Sequence, residues 1–297
     1  IGGQTKTPTF SILKQSVNHY IGGAAVVALH LKESGAKVNF TTLLGNDLFG
    51  KYVTKKLKHK KISLNSIIDA NRPTTNKNTV QTGSYKLLKV DTIDNTPISE
   101  DILNKICDNI KKIKSDIVIL SDFRHGIFNK YSIKKIINSI PNKKFKVADS
   151  QVASRWGNII DFKKFDLITP NEKEARFSLA DQDSSIGSLA NSVKEESECK
   201  NLILKLGDKG IFCINSKNSN LNNSANYFSV DSFASDVVDP VGAGDALLAY
   251  SSLSLFHTNS LVISALLGSL AASCECERDG NIPISIKFIK EKLEEIR

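Results

Sequence analysis

Apolar residues recur with two different periods along this chain, and the changes of period divide it. Across 22–34 the residues Ala25, Ala28, Leu29 and Leu31 fall on one side at helical spacing, which predicts a helix with a buried face. Residues 38–44 form a short apolar run of strand length, and 48–58 read as a second helix. Residues 9–20 read as extended chain. From 62 to 90 the runs are β-rich, most clearly over 79–90, with no helical segment between them. Alternation then resumes. Helices are predicted over 99–113, 130–139 and 172–179, and strands over 116–120, 144–148, 166–169, 202–206 and 211–214. Residues 246–256, 262–273 and 286–296 close the chain as helices. Short apolar strands set between helices predict an α/β fold with a mostly parallel sheet covered on both faces. The consecutive strands at 62–90 do not fit that alternation and predict a small separate sheet. Residues 215–226 are an Asn/Ser-rich exposed loop.

Bulk composition narrows the class. A chain of 297 residues, 40% hydrophobic and 24% charged, suits one large α/β domain of ordinary soluble type. No apolar run is long enough to span a membrane, and no signal peptide is recognisable. The five cysteines are odd in number and scattered, which fits reduced thiols in a cytoplasm. Cys274-Glu275-Cys276 lacks the second ligand pair of a zinc site. The net charge of +9 draws partly on Lys51, Lys55, Lys56, Lys58, Lys60 and Lys61. These fit a solvated helix face, and no aromatic interleaving or motif points to nucleic acid. A positive field favours an anionic small-molecule substrate.

The chemistry concentrates in Asp239-Pro240-Val241-Gly242-Ala243-Gly244-Asp245, which precedes a long apolar helix. The bland reading is a Gly-rich turn before a core helix, with Asp245 as a first-turn acid favouring the helix dipole. The functional reading is an anion hole. The glycines admit close backbone approach, and the helix start offers free N–H groups and positive dipole. The amides of Gly242, Ala243 and Gly244 would take a transferring phosphate, and Asp245 would accept a proton from a substrate hydroxyl. Two nucleotide motifs are excluded. Leu247 stands where a dinucleotide fingerprint wants Gly or Ala. Gly45-Asn46-Asp47-Leu48-Phe49-Gly50-Lys51 looks like a P-loop, but Tyr52 replaces its Ser or Thr. Asn171 and Glu174, three apart at a helix start, read alone as a capping arrangement.

Four motifs in order resemble the PfkB (ribokinase-like) carbohydrate kinase family across nearly the whole chain. They are Gly22-Gly23-Ala24-Ala25 followed by Leu44-Gly45-Asn46-Asp47-Leu48-Phe49-Gly50; Thr169-Pro170-Asn171-Glu172-Lys173-Glu174-Ala175; Lys205-Leu206-Gly207-Asp208-Lys209-Gly210; and 239–245. The resemblance implies a ribokinase-like three-layer α/β/α domain over 1–297, with its body at 21–61 and 97–297 and a β lid from about 9–20 and 62–96. It implies ATP-dependent phosphorylation of a sugar or sugar phosphate. Asn171 and Glu174 are implied to organise magnesium, water and nucleotide phosphates, with Glu174 reaching Mg2+ through water. Lys205, Gly207 and Gly210 are implied to lie on the nucleotide side, and Gly22 and Gly23 near the sugar. Val26 stands where family members often carry Asn. Asp239 is implied to help hold a monovalent cation such as K+. Edge strands of such a lid often pair between subunits, so a homodimer is expected. The chain begins at Ile1 without the opening strand usual in the family, and is expected to be N-terminally truncated.

Three further segments are similar to the kinase domain of bifunctional ADP-heptose synthases. They are Tyr85-Lys86-Leu87-Leu88-Lys89-Val90-Asp91, Ser121-Asp122-Phe123-Arg124-His125-Gly126 and Ala148-Asp149-Ser150-Gln151. The similarity implies a substrate such as a heptose 7-phosphate, met by Lys89, Arg124 and His125, although a loop histidine is more often not a ligand. No His-x-Gly-His element of a nucleotidylyltransferase follows. A non-catalytic sugar- or nucleotide-binding regulator on the same fold, and a nucleoside kinase, are the alternatives.

Overall fold

The structure is a computed structural model that describes residues 13–83, 85–151, 159–215 and 226–296. In chain order the elements are α1 (Ala24–Glu33), β1 (Asn39–Gly45), α2 (Leu48–His59), β2 (Ser63–Asp69), β3 (Asn76–Thr82), β4 (Tyr85–Thr92), α3 (Glu100–Lys112), β5 (Ile117–Asp122), α4 (Lys130–Ser139), β6 (Phe145–Ser150), β7 (Leu167–Ile168), α5 (Glu172–Leu179), α6 (Ile186–Ser197), β8 (Asn201–Lys205), β9 (Ile211–Ile214), β10 (Tyr227–Val230), α7 (Ala243–Thr258), α8 (Leu261–Cys276) and α9 (Ile286–Glu295).

The central sheet runs β10-β9-β8-β7-β6-β5. Strands β5 to β8 are parallel, and β9 and β10 add on antiparallel. Alternate strand residues feed two cores. Ala148, Ile168, Leu202 and Leu204 pack with α3, α4, α5 and α6. Val147, Leu167 and Ile203 face the opposite way, toward α1, α7, α8 and α9. Both faces are covered, which explains why these strands read as apolar runs rather than as alternation. The result is the expected three-layer α/β/α fold.

Beside this sheet β1 and β2 pair in parallel, and β3 and β4 form an antiparallel hairpin with an irregularity at Val80/Gln81. The strand β2, grouped with the lid in the sequence reading, thus hydrogen-bonds to β1 and not to the hairpin. Residues 13–20 carry no strand, and 9–12 lie outside the described residues. Helix α6 and strand β10 were not anticipated. In α6 the buried Leu189, Ala190 and Val193 are diluted by Ser, Asn and Lys, and β10 is only four residues long.

The helix that presents the site is locked by close packing. A side chain on Gly268 of α8 would collide with Ser251 of α7, so the two helices meet backbone to backbone. Ser264 Oγ donates to Ser251 O across the same contact, at 2.9 Å. Tyr250 Oη donates to Ile284 O at 2.7 Å, and Ile284 N donates to Nδ1 of the buried His30 on α1 at 3.0 Å. Helices α7 and α1 are therefore both held to the segment at Ile284.

Candidate functional site

The first turn of α7 is built around Gly242, whose φ is 99°. A Cβ there would stand 2.7 Å from Glu275 Oε1 and 3.0 Å from Asn281 Oδ1, so neither the backbone nor the space admits a side chain. Its carbonyl accepts from Asp245 N at 2.9 Å and Ala246 N at 3.0 Å. Ala243 N makes a long 3.4 Å bond to Pro240 O, while the N–H groups of Gly242 and Gly244 have no acceptor among the described residues. Free amides at a helix start are suited to receiving an anion.

Asp245 projects from this turn and is buried. Burial, with Asp149 and Glu174 adding to it and Lys205 opposing, pushes its carboxyl up to about 7. Lys205 ends β8, and its Nζ lies 3.0 Å from Asp149 Oδ1 at the end of β6. Thr169 Oγ1 donates to the same oxygen at 3.0 Å. Burial works against the Lys205 charge, but Asp149, Glu174 and Asp245 outweigh it and raise its pKa above the usual lysine value. A Cβ on Gly244 would stand 3.3 Å from Lys205 Nζ, so the ammonium lies against the glycine turn. One partly buried cation thus sits among three buried carboxylates at the carboxyl ends of the parallel strands, where open α/β sheets bind ligands. Asp149 is a site residue for which the sequence had named no role.

Asn171 and Glu174 form a reciprocal capping box. Glu174 N donates to Asn171 Oδ1 at 2.8 Å and Asn171 N to Glu174 Oε2 at 2.7 Å. The capping interpretation of the pair is therefore realised, and the box is bound to β8 through Lys205 N, which donates to Pro170 O at 2.8 Å. Beside it opens a cavity of about 730 Å³ whose walls include Asn171, Arg176, Phe177, Lys205 and Gly207. Glu174 and Gly210 are not part of that lining. Gly210 has φ 79°, and a side chain on it would collide with Val230 O, so its smallness serves the passage of β10.

Gly22 and Gly23 precede α1 and border open space, whereas Val26 is buried within the helix packing. Asn281 joins this corner to the anion site. Its Nδ2 donates to Ile21 O at 3.1 Å, and its Oδ1 is the atom that crowds Gly242. No motif signalled Asn281. Asp239 Oδ1 accepts from Val241 N at 3.2 Å and lies 3.8 Å from Lys86 Nζ, so the hairpin touches the loop before α7. Lys89 is exposed on β4, opposite Thr79.

Two sequence candidates are placed differently from expectation. Arg124 turns inward. Its Nη1 lies 3.0 Å from Asp122 Oδ2 and its N donates to Asp122 Oδ1 at 2.7 Å, while Ser150 Oγ also donates to Asp122. The guanidinium is paired with a buried carboxylate. His125 faces the hairpin, where burial and Lys77 push its pKa down to about 4 against Asp91. The P-loop-like string is structural. Asp47 caps α2 through Gly50 N and accepts from Thr74 N, both at 2.7 Å, which seats the chain entering the hairpin.

A family profile described as pfkB family carbohydrate kinase matches residues 4–287. The chain belongs to the pfkB family of carbohydrate kinases. Among curated proteins it is similar to the bifunctional protein HldE of Helicobacter pylori strain G27, 28% identical over 295 residues, covering 96% of this chain and 60% of that protein. It is similar also to HldE of Sulfurimonas denitrificans, 27% identical over 283 residues, covering 91% and 56%. The chain thus spans about 60% of the length of such relatives. Among solved structures, phosphofructokinase-2 from Escherichia coli in complex with potassium superposes with a TM-score of 0.75 at 16% identity, covering 93% and 88% of the two chains. Ribokinase from Thermotoga maritima gives 0.71 at 20% identity, covering 92% and 87%. In this pfkB-family chain the free amides, the buried acid and the cavity lie where the fold presents ligands. No described helix is long and apolar enough to cross a membrane.

Proposed function

We propose that the chain transfers the terminal phosphoryl group of ATP to a hydroxyl of a sugar or sugar phosphate. The observation that carries this is the buried Asp245 set beside the unpaired amides of Gly242 and Gly244, with the Lys205 ammonium against the same turn. The nucleotide lies in the cavity walled by Asn171, Lys205 and Gly207, with its terminal phosphate on the amides of 242–244. Asp149 holds Lys205 in place, and Lys205 offsets the charge that gathers on the phosphate. Asp245 removes the proton of the acceptor hydroxyl, which enters from the side of Gly22 and Gly23.

Among the described residues no group of three or more His, Cys, Asp or Glu could hold a metal. Magnesium would be held mainly by nucleotide phosphates and water, and Glu174 is the residue that would reach it through water. Its chemistry is charge neutralisation of the phosphates. Asp239 is the residue assigned to a monovalent cation, a reading supported by the potassium named for the Escherichia coli relative. A sugar phosphate resembling heptose 7-phosphate is favoured by the resemblance of 85–91, 121–126 and 148–151 to the kinase domain of ADP-heptose synthases and by Lys77 and Lys89 on the hairpin. Exposed Tyr85, Leu88 and Val90 on β4 favour pairing of two subunits through the hairpin. A cytoplasmic setting agrees with the free thiols.

The experiment is an ADP-release assay with MgATP against hexoses, heptose phosphates and nucleosides. Turnover with a heptose phosphate above the others supports the proposal. ATP binding without ADP release from any acceptor contradicts it.

A further inference from the structure

Glu275 stands on the last turn of α8 and is fully buried. Both carboxyl oxygens are sealed from solvent, and neither makes a hydrogen bond of ordinary geometry among the described residues. Buried polar groups almost always have partners, so a carboxyl without one calls for an explanation. Its position is specific. The point where a Cβ on Gly242 would stand is 2.7 Å from Glu275 Oε1. The acid therefore packs on the α-carbon of the residue that opens the anion site, while Asn281 Oδ1 closes the same floor at 3.0 Å.

We propose that Glu275 is a positioning residue of the anion site: it sits beneath Gly242 as the neutral carboxylic acid, fixes that turn, and on losing its proton sets a negative charge under the amides that receive phosphate. The groups that act on it are Asp245 from α7, Asp239 from the loop before α7, and Cys276 and Arg278 from the end of its own helix. Asp245 and Asp239 both disfavour another negative charge. Arg278 is engaged elsewhere, donating to Cys274 O and lying 4.1 Å from the centre of the Phe288 ring. Lys292 of α9 is bound to Glu277 at 2.6 Å, and Tyr227 of β10 stacks on Phe212. In keeping with this, burial and then Asp245 push the Glu275 carboxyl up to about 8, against Arg278 and the nearby Ile282 N–H. If only the neutral form admits phosphate, nucleotide affinity falls about tenfold for each pH unit above that titration.

The test has two readouts. The first is the Gly242 amide resonance, followed by NMR from about pH 6.5 to about pH 9.5 in an Asp245→Asn background so that Asp245 contributes no step. One titration step is expected, and adding Glu275→Gln is expected to abolish it. The second is calorimetric binding of MgATP, which rests on the kinase reading. Affinity is expected to weaken about tenfold or more across the upper range in the wild type, and less than about twofold in Glu275→Gln. No step at Gly242, a step that survives Glu275→Gln, or equal weakening in both proteins overturns the proposal. If neither protein binds MgATP while Gly242 still titrates, the kinase reading fails and the place of Glu275 under the turn stands. Should Glu275→Gln not fold, the infrared band of a protonated carboxyl in Asp245→Asn carries the test. Its persistence above neutrality supports the proposal and its absence there overturns it.

Discussion

Lys205 Nζ and Asp149 Oδ1 meet at 3.0 Å across the short strand β7, linking the ends of β8 and β6. This ion pair joins the cavity beside Asn171 to the acid at the start of α7, since Lys205 lines the cavity and its charge acts on Asp245. A cation so placed lowers the pKa of Asp245 and, on the proposed function, attracts phosphate.

Lys205→Met is therefore expected to act twice. MgATP binding should weaken about tenfold to a hundredfold, the loss of one charge-assisted contact of roughly 1.5–3 kcal/mol. The acid limb of the pH–rate profile should move upward, because Asp245 loses the positive charge that favours its ionised form. Binding titrations and kcat/KM against pH check both. Weaker binding with an unmoved acid limb contradicts the coupling.

The wild-type profile follows from two raised carboxyls. Asp245 works as a base only when ionised, so kcat/KM should rise with pH through about 7. Glu275 is neutral below about 8, so the profile should fall again above that value and form a bell. The two acids interact, so the limbs belong to the pair. A profile flat between about pH 6 and pH 9 contradicts both assignments.

Glu275 also ties stability to pH. Its folded-state pKa is raised from 4.5 to about 8, so its protonated form stabilises the fold fully below about 4.5 and that contribution is lost as pH rises through about 8. Relative to wild type, Glu275→Gln should gain stability by at most about 1.4 kcal/mol per pH unit across that window and gain nothing further above it. Denaturant titrations at several pH values measure the difference.

Arg124 separates a ligand role from a structural one. Arg124→Ala leaves Asp122, 1% exposed, without its cation, and should cost about 3–5 kcal/mol of stability. A phosphate-binding arginine would instead raise KM with stability unchanged. Thermal unfolding beside steady-state kinetics decides between them.

Gly242 and Gly210 make a further contrast. Gly242→Ala meets a positive φ and the Glu275 carboxyl, and should abolish turnover while costing roughly 1–3 kcal/mol. Gly210→Ala should destabilise by a similar roughly 1–3 kcal/mol through its collision with Val230 O, yet leave ATP affinity in the folded fraction within about twofold. Equal loss of ATP binding in both would return Gly210 to the nucleotide side.

The parts of this molecule that show in sequence are those written in neighbouring residues. The turn at 239–245, the capping box at 171–174 and the alternation from α3 to α5 each depend on short-range spacing, and each forms as read. What stayed hidden depends on contacts between distant residues. Asp149 and Lys205 are 56 positions apart, and Asn281 reaches Ile21 across 260. Glu275 reads as one acid in a polar helix end until the helix is packed against Gly242. Arg124 reads as an available basic residue beside a histidine, and only the fold shows its pairing with Asp122. Helix α6 was passed over because its buried stripe is broken by polar residues.

The central claim is that the amides at 242–244 receive the terminal phosphate while Asp245 deprotonates the acceptor. Single-turnover transfer from radiolabelled ATP, run with wild type and Asp245→Asn at matched nucleotide occupancy, tests it most directly. The account predicts ATP affinity within a few-fold of wild type and transfer slowed by about a hundredfold to ten-thousandfold. Transfer at comparable rates in the two proteins would contradict it.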